Sequence, residues 1–303
     1  CTEHGVFRRD YTDSERQNLI DRIRAQVNDK RSYAAIRLRQ EMFQDEPYGV
    51  SKYGEKEDVA AITPEMLYAH YLRVLRTSRI ELIFTGNADA GALESALREA
   101  LKGLPRGALT PIGTVPGPMP EAVREVSETM DVTQGKLVMG FRTGITAGDP
   151  EYPALLMMNG VYGGSLTSKL FMNVREKMSL CYYASSGTER FKGVMVVSSG
   201  VDMDKYETAR KEIMAQLEAC RRGEITAEEL ESTRSYLISS LKTGEDSPYN
   251  MDDFQLGQLI GGYDYTTESL AEALKTVTIP EIQSAADRLA LDTVYFLRGE
   301  ADA

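Results

Sequence analysis

Between Gly160 and Val201 the apolar residues change period, and that change restricts what this stretch can fold into. Leu166, Leu170, Phe171 and Val174 fall at i, i+4, i+5 and i+8, one face of a helix. Arg175 and Lys177 lie near the end of that pattern, where cations complement the negative end of the helix dipole. From Leu180 the period becomes two. Leu180, Tyr182 and Ala184 alternate as in a strand, Ser185 to Lys192 reads as a turn, and Val194 to Val201 reads as a second strand. Gly163 and Gly164 permit close packing ahead of the helix. A helix feeding a β-hairpin buries its apolar face against a sheet, which places the chain in the α+β class.

The next constraint is a break. Leu104 to Pro120 holds five of the eleven prolines, at 105, 111, 116, 118 and 120, with several glycines, and reads as an extended linker. It divides the 303 residues into a domain over 1–104, a linker over 105–120 and a second domain over 121–303. In the first, Thr12-Asp13-Ser14-Glu15 has the form of a capping box before a helix with Leu19, Ile20, Ile23 and Val27 on one face. Asn28-Asp29-Lys30 interrupts it, and a second helix runs from about Ser32 to Phe43. Thr63 is placed as an N-cap with Pro64 at the first helical position, Ile80–Phe84 as a strand and Ala90–Leu101 as an amphipathic helix.

In the second domain, Val123–Asp131 and Lys136–Arg142 read as strands, and Asp149-Pro150 caps a helix through Tyr162. Lys205–Cys220 is a further helix, and Thr226-Ala227-Glu228-Glu229 is a capping box opening a long one to about Lys242. Three shorter helices and a closing strand, Thr293–Arg298, follow. The halves echo each other: each runs from a Thr-Pro-Glu or Ile-Pro-Glu helix start to a final strand, as in a duplicated α/β unit. The first half is the shorter. The chain opens on Cys1 rather than Met and reads as one whose first strands and helix are absent.

Net charge is −11, which argues against a nucleic-acid partner or an anionic membrane surface. No apolar run approaches the roughly 18 residues of a membrane span. Cys1, Cys181 and Cys220 show no paired spacing, which fits a reducing compartment and a cytoplasmic location.

Leu170-Phe171-x-x-Val174-Arg175-Glu176-Lys177-x-x-Leu180-x-Tyr182 resembles the C-terminal half of the pitrilysin, insulin-degrading-enzyme and mitochondrial-processing-peptidase family. Glu46-Pro47-Tyr48-Gly49 and the stretch from Gly54 to Leu67 resemble its N-terminal half. The resemblance implies duplicated halves, each an antiparallel-rich sheet with helices packed on one face, the first incomplete here. It also implies that Arg175 and Tyr182, seven residues apart, hold a substrate peptide. A guanidinium supplies fixed donors to peptide carbonyls or a developing oxyanion, and a phenol supplies one more.

Active members of that family carry His-x-x-Glu-His on one helix and a more distant Glu, which together hold zinc. This sequence has two histidines, His4 and His70, and neither stands in that motif. If Glu15 matches the family's supporting Glu, the third-ligand position falls on Arg22, a residue with no lone pair to give, while neighbouring Asp21 points about 100° away. The resemblance therefore implies a non-catalytic, peptide-binding subunit with no zinc of its own, acting with an active, zinc-bearing peptidase subunit or as a homodimer. Two other readings stay open: an active zinc peptidase whose zinc helix lies upstream, and a purely structural scaffold subunit. Cys181 reads as packing, and the Glu228-Glu229-Glu231 cluster suits a helix start without a metal.

Overall fold

The computed structural model describes residues 2–300, so Cys1 lies outside the described residues. In chain order the first elements are β1 (Thr2–Glu3), β2 (Val6–Phe7), α1 (Arg9–Ala25), α2 (Lys30–Met42), α3 (Lys56–Ala60), α4 (Pro64–Thr77) and α5 (Ala90–Leu101). Then come β3 (Arg124–Thr129), β4 (Gly135–Arg142), α6 (Tyr152–Asn159), β5 (Cys181–Glu189) and β6 (Val194–Val201). The chain continues through α7 (Tyr206–Arg221), α8 (Ala227–Glu245), α9 (Pro248–Gly261), α10 (Thr267–Thr276), α11 (Ile279–Asp287) and β7 (Ala290–Arg298). Two compact units emerge. One joins the residues up to Gln26 to Ser51–Gly113, and the other joins Val27–Val50 to the chain from Thr114 onward. Residues 27–50 thus pack with the later part of the chain, not with their neighbours in sequence.

In the first unit, Thr63 accepts from the Met66 amide at 3.2 Å and Pro64 opens α4, as their residue types require. The capping box at Thr12 does not form. The helix begins at Arg9, and Thr12 is buried inside it with its hydroxyl donating to the Arg8 carbonyl at 3.0 Å. Residues 79–85 are not a strand either: Ile80, Leu82 and Phe84 are exposed, and among the described residues no strand pairs with them. A strand needs a ladder partner for its backbone groups, and apolar alternation cannot supply one.

The second unit is built on a five-stranded sheet in the order β3-β7-β4-β6-β5, with β3 and β7 parallel and the remaining pairs antiparallel. β4 reads Leu137-Val138-Met139 without polar alternation, so both faces of the sheet are buried. Leu137, Met139, Phe141, Val294 and Phe296 face the main core with residues of α6, α7 and α11. Val138, Tyr295 and Leu297 face the other way, onto Ala34 and Leu38 of α2. Helices gather on one face, and α2 covers the opposite one.

Local readings shift where backbone pairing outweighs composition. Ser185, Ser186 and Thr188 look like turn residues, yet they pair with Ser198, Val197 and Met195, so β5 runs to Glu189 and the turn shrinks to 190–193. Gly193 takes φ 63° there, a conformation that favours glycine. Asp149 closes the preceding turn by accepting from the Thr146 amide at 2.6 Å, and α6 starts only at Tyr152. The long helix at Thr226 opens with the capping box its sequence spells, Glu229 N to Thr226 Oγ1 at 3.1 Å and Thr226 N to Glu229 Oε2 at 2.8 Å.

Candidate functional site

The helix expected over 166–177 is a π-helix over Leu170–Lys177, preceded by a π-helical turn at Gly160–Gly164. Leu166 lies before it and is 75% exposed, so it is no part of a packed face. Leu170 and Val174 are fully buried and anchor the segment, while Asn173 donates to Gln216 of α7 at 2.7 Å. The widened turn ends abruptly. Ser179 N bonds to Arg175 O at 3.1 Å and Leu180 N to Val174 O at 3.0 Å, a wide closing turn that satisfies two of the segment's last carbonyls. Ser179 takes φ +50° at its centre, a position that usually belongs to glycine.

Strand β5 begins two residues later with a second irregularity. Cys181 pairs with Val201 and Tyr183 with Gly200, so Tyr182 is an extra residue in a β-bulge on an edge strand. A bulge bends its strand and redirects a side chain. Here Cys181 is buried and Tyr182 stands 61% exposed. Burial pushes the Cys181 thiol up, with a Ser199 hydrogen bond and the positive charge of Arg175 opposing, as suits a packed thiol. Tyr183 carries Arg31 over its ring at 4.2 Å, and Gly200 opposite it leaves room for that ring.

Arg175 and Tyr182 thus come from contacting elements, but no hydrogen bond joins them among the described residues. The Arg175 guanidinium leans over the Phe171 ring at 4.7 Å, with Glu176 at 3.6 Å. Asp202 lies just past the end of β6, and its carboxylate receives Lys205 Nζ at 2.9 Å. That lysine, with Tyr182 beside it, holds the Asp202 carboxyl below its ordinary value. Sequence reasoning missed Asp202 and Lys205. Their signal was an Asp-x-x-Lys spacing directly after a strand, which on its own suggests only a turn.

The residues weighed against a zinc site, and set aside in the sequence, sit apart. His4 is exposed beside Glu3, and His70 is exposed with Nδ1 at 2.9 Å from Arg73 Nη2. Arg22 is exposed with its guanidinium 5.8 Å from the centre of the Tyr53 ring, and Asp21 accepts from Gln17 at 2.9 Å. Among the described residues no three His, Cys, Asp or Glu side chains converge to hold a metal ion. The donor set of the described residues does not fit zinc.

Residues 61–237 match the family model described as the peptidase M16 inactive domain. The chain is 35% identical over 297 residues to the probable inactive metalloprotease YmfF of Bacillus subtilis, covering 98% of this chain and 70% of that protein. A crystal structure of a conserved protein from Enterococcus faecalis superposes with a TM-score of 0.91 at 31% identity, covering 100% of this chain and 71% of the other. The peptidase M16 inactive domain from Pseudomonas fluorescens shares the fold with a TM-score of 0.76 at 18% identity, over 98% of this chain and 72% of the other. The π-helix, the bulged strand and the sheet that carries them therefore sit in a fold with known members, and the chain belongs to the peptidase M16 family.

Proposed function

We propose that this chain is a non-catalytic M16 protein that binds a peptide at Arg175 and Tyr182 and completes the active site of a zinc-bearing partner subunit. The observation that carries the reading is the junction itself. A π-helix, a left-handed serine and a β-bulge follow within thirteen residues, and they present one guanidinium and one phenol to solvent. Irregularities of this kind are costly and gather at functional sites. In the complex Arg175 orients peptide carbonyls, and the Tyr182 hydroxyl donates to the oxyanion of the tetrahedral intermediate. The name of the Bacillus relative, a probable inactive metalloprotease, supports a non-catalytic role. The domain from residue 121 onward is the peptide-binding part. Buried free thiols at Cys181 and Cys220, the latter pushed up to about 12 by burial, support a cytoplasmic location.

The test is reconstitution. The protein is mixed with a zinc-bearing M16 subunit from its own organism, and cleavage of a quenched fluorescent peptide library is followed. Cleavage is expected only from the pair, and Arg175→Ala abolishes it while the far-ultraviolet circular dichroism stays unchanged. A fully active Arg175→Ala pair sinks the proposal. Chelator-sensitive peptidase activity of this protein without a partner points instead to an active zinc enzyme.

A further inference from the structure

We infer that Asn173 and Gln216 are positioning residues: their hydrogen bond holds Leu170–Lys177 in its π winding, and the winding sets the direction in which Arg175 points. The inference rests on the peptide-site reading above and goes one layer beneath it.

A helix closed by five-residue bonds turns less per residue than one closed by four-residue bonds, about 82° against about 100°. Over the five steps from Leu170 to Arg175 the difference sums to about 90°. The wide winding is visible at the end of the segment, where Met178 N donates to Asn173 O, five residues back, at 3.1 Å. Wound as an α-helix from Leu170, the same residues would send the Arg175 guanidinium out a quarter turn away from its present direction.

The apolar contacts do not choose between the two windings. Leu170 and Val174 are buried and four apart, and four steps bring a residue back to within about 40° of its start in either one. The stack of Arg175 on Phe171, also four apart, is equally indifferent. Residues 170–177 contain no Gly or Pro that would loosen an α-helix. Polar contacts with α7 and α8 make the choice. Just ahead of the segment the buried Lys169 amine donates to Glu229 at 2.9 Å and to the Glu224 carbonyl at 2.5 Å, which fixes where the winding starts. Within it, Asn173 Nδ2 donates to Gln216 Oε1 at 2.7 Å, and Gln216 Nε2 donates in turn to Glu212 at 2.5 Å. Three α steps from Leu170 in place of three π steps would carry Asn173 about 55° round the axis, several ångströms at the amide, and break that bond. The bond and the winding stand or fall together.

The experiment uses the whole chain, deuterated and labelled with 15N and 13C, and reads which carbonyl accepts from the Met178 amide through the coupling across the hydrogen bond. In wild type that carbonyl is Asn173. Asn173→Leu keeps a branched side chain without the donor, and the coupling is expected to move to Val174, the α partner. Binding of fluorescein-labelled denatured casein peptides weakens about tenfold in the same variant, a difference near 1.4 kcal/mol. Gln216→Leu does the same from α7, and the double variant binds no more weakly than either single one, since each lacks the same bond. A Met178 coupling that stays on Asn173 in both single variants overturns the inference. So does binding at wild-type strength once the winding has relaxed, and so do losses that add in the double variant. Should Asn173→Leu fail to fold, Gln216→Leu carries the test alone. If the coupling moves but wild type binds no casein peptide, the hold on the winding stands and the peptide-site reading fails.

Discussion

Two ionic clusters in the second unit use the same chemistry in opposite settings. At the end of β4, Arg142 binds Asp292 and Glu46, each at 2.9 Å, and donates to the Met42 carbonyl at 3.1 Å. Lys192 joins the same Glu46 and the Val115 carbonyl, and Phe43 lies 4.5 Å from the Arg142 guanidinium. Both cations are over 90% buried. At the candidate site the charges of Arg175, Glu176, Asp202 and Lys205 are all substantially exposed. A buried charge that loses a partner destabilises the fold, whereas water relieves an exposed one. The first cluster can therefore be altered only at the expense of folding. The second is free to serve a ligand.

The largest effect that can break this contrast is Glu46→Ala. It strands Arg142 and Lys192 together in the interior and should lower stability by about 3–5 kcal/mol, read from the urea midpoint. A loss under about 1 kcal/mol would show that water already reaches the cluster. The pH dependence sharpens it. Burial would raise the Glu46 carboxyl, but hydrogen bonds from Lys192 and Arg142 bring it below its ordinary value. A folded value below the unfolded one, about 4.3, gives stability that is present at neutral pH and lost as pH falls through the folded value. Glu46→Gln should flatten the acid limb of the stability curve in that window. An acid limb identical to wild type would remove Glu46 from the account.

The exposed cluster predicts the reverse pattern, loss of function with little loss of stability. Arg175→Lys keeps the charge but discards the planar fork, so cleavage by the reconstituted pair should fall about thirtyfold, near 2 kcal/mol. Tyr182→Phe removes one hydroxyl and should cost about tenfold. Both variants should keep a urea midpoint within about 0.5 kcal/mol of wild type, as surface substitutions do. A drop in midpoint that tracks the drop in cleavage would place these residues with the structural cluster instead.

Much of this division was legible in the sequence, and the failures have one cause. Leu170, Val174 and the apolar run of β4 announced their burial, and Thr63-Pro64 and Thr226-x-x-Glu229 announced helix starts, because periodicity and capping act within a few residues. Arg175 and Tyr182 could be named from their flanking pattern. The Tyr182 bulge could not, since it depends on pairing with β6, and neither could the π-helical winding of 170–177. The same holds for Ile80–Phe84, with which no strand pairs among the described residues, and for Ser185–Glu189, where polar residues found a partner.

The smallest expected effect tests whether the backbone irregularity belongs to the function. Ser179 holds φ +50°, which costs a residue with a side chain about 1 kcal/mol relative to glycine. Ser179→Gly should therefore raise stability by up to about 0.5 kcal/mol, once the greater chain entropy that glycine brings to the unfolded state is subtracted. If the strained turn also sets where the Arg175 helix ends and the Tyr182 strand begins, the more flexible glycine should weaken peptide binding by about twofold to threefold while the protein becomes more stable. Opposite signs in the two measurements would tie the strain to the site. A variant that is both more stable and binds as well as wild type would make Ser179 an incidental occupant of a glycine position, and would leave the bulge to orient Tyr182 unaided.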